Sequence, residues 1–247
     1  MKNFLVALIS LFSVSAVAGP HVVFVIGEKE YKTEESLTEF FESELKPAGY
    51  TATFFTAPPE GDKRNDFSGL AEALEKADVV MVSTRRRAPA AADMAALKKF
   101  VADGKPLMGI RTASHAFHLK DKPIPEGHAV WEEFDPEILG GNYTGHYRDE
   151  PAPVMVVKGS EKHSILVGVG KLPATTKLYN SDPLKSTATG LLIATVEGKK
   201  PEPVAWTNEV GENKAKVFYT SLGLVEEFED TEFRKLLKNA FAWAVAK

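Results

Sequence analysis

The chain has 247 residues, a formal charge of −4, 44% hydrophobic residues and no cysteine. This composition excludes a disulfide framework and thiolate catalysis, and the mild acidity excludes the global basic excess of a nucleic-acid binder. Ordinary apolar content in a chain of this length points to a single domain with a conventional core.

Residues 1–18 carry Lys2, an apolar core over residues 4–12 and the small-x-small end Ala16-Val17-Ala18, and read as a secretory signal peptide. The apolar core is too short to span a bilayer. The mature chain is then residues 19–247, exported to the periplasm or the extracellular space and free of the membrane. Residues 21–26, His-Val-Val-Phe-Val-Ile, are a continuous β-branched run closed by Gly27 and predict a strand buried on both faces. Ser36 and Glu39 have capping-box spacing, and Leu37, Phe40, Phe41 and Leu45 follow at helical intervals up to Pro47 and Gly49. A second strand over residues 50–56 leads to a second helix around Phe67, Leu70 and Leu74, with Asp66 as its expected N-cap. A third buried strand over residues 78–84 runs into Arg85-Arg86-Arg87, and an alanine-rich helix then ends at Gly104.

The fourth strand, residues 106–110, breaks at Arg111 with Gly109 and Ala113 on either side. That is the spacing of a nucleophile elbow, where small neighbours allow a sharp strand-to-helix turn. Arg111 is permanently protonated and has no lone pair with which to attack, so the elbow lacks its nucleophile. Residues 119–153 lose periodicity and read as a functional loop fastened by Trp131, Phe134, Ile138 and Leu139. Strands are expected at 154–157, 191–196, 204–206 and 217–220, with a hairpin turn at residues 211–213, before a closing amphipathic helix carrying Phe233, Leu236, Leu237 and Phe241. Repeated βα units imply an α/β, doubly wound, mostly parallel sheet flanked by helices, with antiparallel strands near the C-terminus. Ligands of such sheets bind beyond the carboxyl ends of the strands, where Glu28, residues 85–87, Arg111 and His115 fall.

Several stretches together resemble the ThuA-like, trehalose-utilisation family. They are residues 27–31, residues 109–117, Leu139-Gly140-Gly141-Asn142-Tyr143-Thr144-Gly145-His146-Tyr147, residues 163–166, residues 203–207 and residues 217–223. The resemblance implies a class I glutamine amidotransferase-like, flavodoxin-like fold and a carbohydrate ligand, a disaccharide or keto-sugar. Amidotransferases of this fold place cysteine at the elbow, so Arg111 argues against glutamine hydrolysis. Many relatives end the last strand in Ser-Leu-Gly-His, whereas Leu224 follows Gly223 here.

The expected acid/base residues are His115, Glu28 and His146. A helix beginning at the elbow would keep the His115 imidazole neutral and ready to accept a proton. Arg111 and Thr112 at the elbow, Arg85 and Arg87 at the third strand, and Asn142, Tyr143 and Tyr147 in the glycine-rich loop are the expected substrate contacts. Aromatic faces beside hydrogen-bonding groups suit a sugar ring. No H-x-x-x-H or related spacing supports a metal held by His115, His146 and Glu28, so no cofactor is expected. The resulting expectation is an exported protein acting on a small carbohydrate. The alternative is a non-catalytic carbohydrate-binding module that has kept the fold. Convergence of Glu28 or His115 with His146 in one pocket separates the two.

Export carries its own test. Intact-mass analysis of protein made in the native host should show a major species beginning at Gly19, and a major species beginning at Met1 would overturn the assignment.

Overall fold

The computed structural model describes residues 19–246, so the signal-peptide reading lies outside the described residues. In chain order the elements are β1 (His21–Gly27), α1 (Thr33–Phe40), β2 (Thr51–Thr56), α2 (Leu70–Lys76), β3 (Val79–Thr84), α3 (Ala91–Ala102) and β4 (Leu107–Ile110). The second half adds β5 (Gly145–His146), β6 (Val154–Val156), β7 (Tyr179–Asn180), β8 (Thr189–Ala194), β9 (Glu202–Val210), β10 (Ala215–Thr220), α4 (Val225–Phe228) and α5 (Thr231–Val245). Eight strands form one sheet in the order β2-β1-β3-β4-β10-β9-β8-β6, and β5 pairs with β7 in a separate ribbon. Strands β2, β1, β3, β4 and β10 run parallel, and β9, β8 and β6 are antiparallel. The fold is therefore the doubly wound, mostly parallel one expected, with its antiparallel part near the C-terminus.

Alternation along the strands divides the apolar side chains between two faces. Val22, Phe24 and Ile26 of β1 pack with Leu37 and Phe40 of α1 and with Leu236, Leu237 and Phe241 of α5. Val23 and Val25 point the other way, toward Phe67, Leu70 and Leu74 of the α2 region and Met94 and Leu97 of α3. A strand with helices on both faces must be apolar throughout, which is why β1 shows no polar alternation. Burial of these side chains, each contributing about 1.5–3 kcal/mol, is the main source of stability in a chain without cysteine.

Local signals were less reliable than periodicity. Helix α1 starts at Thr33, three residues before the Ser36/Glu39 pair, because Glu28 accepts the Tyr31 and Thr33 amides, each at 2.8 Å, and so takes the capping role. Asp66 accepts from Ser68 in a turn that precedes α2, whose N-cap is Gly69. Strand β9 is longer than residues 204–206, and the β5–β7 ribbon lies where no strand was expected.

Beyond β10 the chain passes close behind the elbow. Gly223 has φ 121, and a Cβ there would lie 2.6 Å from Ile110 Cδ1 and 3.2 Å from Arg111 Cγ. Gly223→Ala should therefore cost about 2–4 kcal/mol, combining a backbone region closed to other residues with overpacking. Urea unfolding measures this, and a loss below 0.5 kcal/mol would mean the approach is not tight.

Candidate functional site

The elbow is built on one strained residue. Ile110 is still extended at φ −135, Arg111 flips to φ 47, and residues 111–115 then form a short 3-10 turn in place of the expected helix. A left-handed conformation at a non-glycine residue is sparsely populated and costs of order 1–3 kcal/mol, so its surroundings must hold it. They do so from both ends: the Tyr219 hydroxyl donates to the Arg111 carbonyl at 2.7 Å, and the guanidinium donates to the Ser221 carbonyl.

Arg111 corrects one expectation. It does not face the crevice: it is fully buried, with its guanidinium carbon 4.0 Å from the centre of the Tyr31 ring and 4.6 Å from that of Tyr179. Two aromatic faces substitute for water around the cation, so no pairing with Glu28 is needed. Thr112 is likewise fully buried with its hydroxyl unpartnered. Neither residue lines the cavity described next.

A cavity of about 490 Å³ opens beyond the elbow and is lined by His115, Ser114, Asp135, Asn142, Tyr143 and His146 among others. His115 therefore does converge with His146. The His115 ring is 8% exposed, stacks on Tyr143 with centroids 4.6 Å apart, and meets the Ser114 hydroxyl through Nδ1 at 3.1 Å. Burial, reinforced by Arg86, Arg85 and Arg111, pushes the imidazole down to about 3. It is neutral, as expected, but arginine charges and desolvation replace the helix dipole as the cause.

Asp135 is the titratable residue that the sequence reading missed. It sits on a π-helical turn, Phe134–Leu139, whose terminal carbonyls are taken up by Trp206 Nε1 on Leu139 at 2.7 Å and Asn208 Nδ2 on Ile138 at 3.0 Å. Its Oδ2 accepts the Tyr143 amide at 2.7 Å, and its buried Oδ1 has no partner. Burial outweighs that one hydrogen bond and raises the carboxyl to about 7. Gly141 permits the approach, since a Cβ there would lie 2.9 Å from both Asp135 Oδ1 and Trp206 Cζ2. The signal was available: Asp135 lies three and four residues before Ile138 and Leu139, a carboxylate on the face of a turn otherwise held by apolar anchors.

The remaining expected residues divide. Glu28 lines a neighbouring cavity of about 800 Å³, and both of its oxygens are already engaged by Tyr31 and Thr33. Arg85 is exposed and pairs with Glu30 at 3.4 Å, while Arg87 is 4% exposed and donates to the carbonyls of Arg85 and Pro59. Arg86, between them, lines both cavities. Asn142 and Tyr143 line the His115 cavity, whereas Tyr147 packs against the apolar core on the other side of the ribbon. Among the described residues no three His, Asp or Glu side chains are grouped to hold a metal.

The fold and this glycine-rich segment can now be compared with known proteins. The ThuA family model, described as trehalose utilisation, matches residues 21–244. The chain belongs to the ThuA family. A putative ThuA-like protein from Bacteroides uniformis superposes with TM-score 0.67 at 20% identity, over 96% of each chain. A second, from Parabacteroides merdae, gives 0.67 at 16% identity, over 92% of this chain and 90% of that one. No curated protein sequence gives a significant match. At such identities the superpositions show the ThuA-like fold, and the site of this ThuA-family chain rests on its own residues.

Asp135 yields a pH prediction. With the folded carboxyl near 7 and the unfolded one near its ordinary value, the folded state binds more protons between the two, so ionisation costs stability as pH rises through that window. Asp135→Asn should remove this cost, becoming more stable relative to the parent by up to about 4 kcal/mol at pH 8 and by little at pH 4. Chemical unfolding of both proteins across pH checks it, and a constant difference would refute the raised carboxyl.

Proposed function

We propose that this ThuA-family chain, after export to the periplasm or the cell exterior, acts on a keto-sugar by proton transfer in the His115 cavity. One observation carries the reading: desolvation leaves a neutral base, His115, and an acid poised near neutrality, Asp135, on the walls of one cavity. Titratable groups driven apart in this way mark acid and base roles. Tyr143, Asn142 and His146 at the cavity wall suit a sugar ring and its hydroxyls.

In the proposed step His115 takes the proton from the hydroxyl-bearing carbon beside the ketone. Asp135 gives its proton to the ketone oxygen, and the electron pair of the broken C–H bond forms the C=C of an enediol. Reverse transfers at the neighbouring positions complete an isomerisation. An imidazole near 3 is by itself a weak base. The arginine field that depresses it also stabilises negative charge growing on the substrate oxygen, and that charge offsets the field as the proton moves. Glutamine hydrolysis has no nucleophile here, with Arg111 at the elbow and no cysteine in the chain.

Wash-in of solvent deuterium beside the carbonyl of 3-keto-disaccharides, followed by NMR, is the direct test. The parent protein should catalyse exchange, and His115→Gln should lose roughly 10²–10⁴-fold in rate while calorimetric binding persists. Sugar binding without exchange in the parent would leave a binding module, and absence of both would overturn the reading.

A further inference from the structure

The larger cavity, about 800 Å³, lies outside the carboxyl ends of β1 and β3 and is lined by Glu28, which follows β1, and by residues 85–87, which follow β3. From β1 the chain goes to β2 on one side of the sheet and then returns to β3 on the other, so this is the topological switch point, where open α/β sheets bind ligands. Four arginines (Arg64 and residues 85–87) and three lysines face four carboxylates around it. Two of those carboxylates are already committed. Glu28 caps α1 with both oxygens, and Glu30 pairs with Arg85.

Arg64, Arg86 and Arg87 are not paired in this way. Among the described residues Arg64, Arg86 and Arg87 form no salt bridge; Arg64 donates to the Arg86 carbonyl and Arg87 to carbonyls of Arg85 and Pro59. Arg87 is 96% buried by accessibility, with 4% exposed, and its Nε has no partner. Burial and the nearby Arg64 and Arg85 lower its guanidinium to about 10, outweighing the opposing Glu28 carboxylate. Arginines gathered at one cavity wall are suited to an oxyanion, which can accept from several guanidinium donors at once.

Arg86 and Lys120 line both this cavity and the one holding His115, and both are held at positive φ, 53 and 55. The Arg86 amide donates to the His115 carbonyl at 3.0 Å, so the two sites are joined through the backbone as well.

We propose that the Arg64, Arg86 and Arg87 cavity binds the carboxylate or phosphate of an acidic sugar whose ring occupies the adjoining His115 cavity. The sugar half rests on the function proposed above; the oxyanion half does not.

The test separates the two. Calorimetric titration in buffered 150 mM chloride would use inorganic phosphate, glucose, glucuronate and glucose 6-phosphate on the parent, Arg86→Gln, Lys120→Ala and His115→Gln proteins, each checked for cooperative unfolding. Phosphate should bind the parent, weaken about tenfold or more in Arg86→Gln, weaken less in Lys120→Ala, and be unaffected in His115→Gln. At least one acidic sugar should bind about tenfold or more tightly than phosphate and glucose and lose that advantage in His115→Gln. Its identity distinguishes a carboxylate from a phosphate ligand. No phosphate binding to the parent, or equal binding to Arg86→Gln and the parent, overturns the oxyanion site and leaves the keto-sugar reading standing. Phosphate binding as expected, with acidic sugars no tighter and insensitive to His115→Gln, overturns the joined site, while the anion site and the keto-sugar reading, which deuterium wash-in tests on its own, both stand.

Discussion

A guanidinium sealed from solvent ties the two halves of this molecule together. Arg111 ends β4, the Tyr31 face on one side of it comes from the turn after β1, the Tyr179 face on the other comes from β7, and its carbonyl acceptor Ser221 follows β10. The Tyr179 and Tyr31 hydroxyls meet at 3.3 Å, closing the sandwich. Burying a charge in an apolar setting is costly, and removing any one of these partners would leave that cost unmet. The Glu227 carboxylate favours the charged form from behind. The same residue accepts the Gly223 and Leu224 amides, fixing the chain where it passes close to the elbow.

The consequences reach the site without Arg111 touching it. Its backbone sets the strained elbow that delivers Ser114 and His115 to the cavity wall, and its charge, with those of Arg86 and Arg85, reinforces the burial that keeps the His115 ring neutral. Tyr179 stands at the centre of the arrangement. Its ring contacts Tyr143 with centroids 4.7 Å apart and lies 6.1 Å from both His115 and His146. The β5–β7 ribbon is therefore part of the site wall, and the stretch that the sequence left without periodicity is held by an aromatic cluster as well as by its π-helical turn and this ribbon.

Desolvation acts on the two titratable groups in opposite senses. It keeps His115 neutral and brings Asp135 up to about 7, each side chain being nearly buried at the cavity wall. Electrostatic interactions in such a place are stronger than at the surface, and the arginines at the rim become the dominant field. Glu28, which also sits at a strand end, contributes differently: its carboxylate is spent on the first turn of α1 and fixes Tyr31, hence one face of the Arg111 sandwich.

The sequence by itself determined the layers. Short β-branched apolar runs bounded by turn residues, such as residues 21–26 and 79–82, fit strands covered on both faces, and the 3.6-residue spacing from Phe233 to Phe241 fits a helix covering one, so sheet and helices were legible from local pattern. The elbow was legible too, as Gly109-x-Arg111-x-Ala113. What the pattern did not contain was where long-range neighbours would lie. Tyr31 and Tyr179 are 148 residues apart and meet over Arg111, so an arginine expected to face the crevice is enclosed. Arg86 reaches both cavities because of the left-handed turn at φ 53, fixed by hydrogen bonds that the amides of residues 86 and 87 donate to the His115 and Ala116 carbonyls. Charge, burial and convergence are properties of packed neighbours, and only tertiary structure chooses the neighbours.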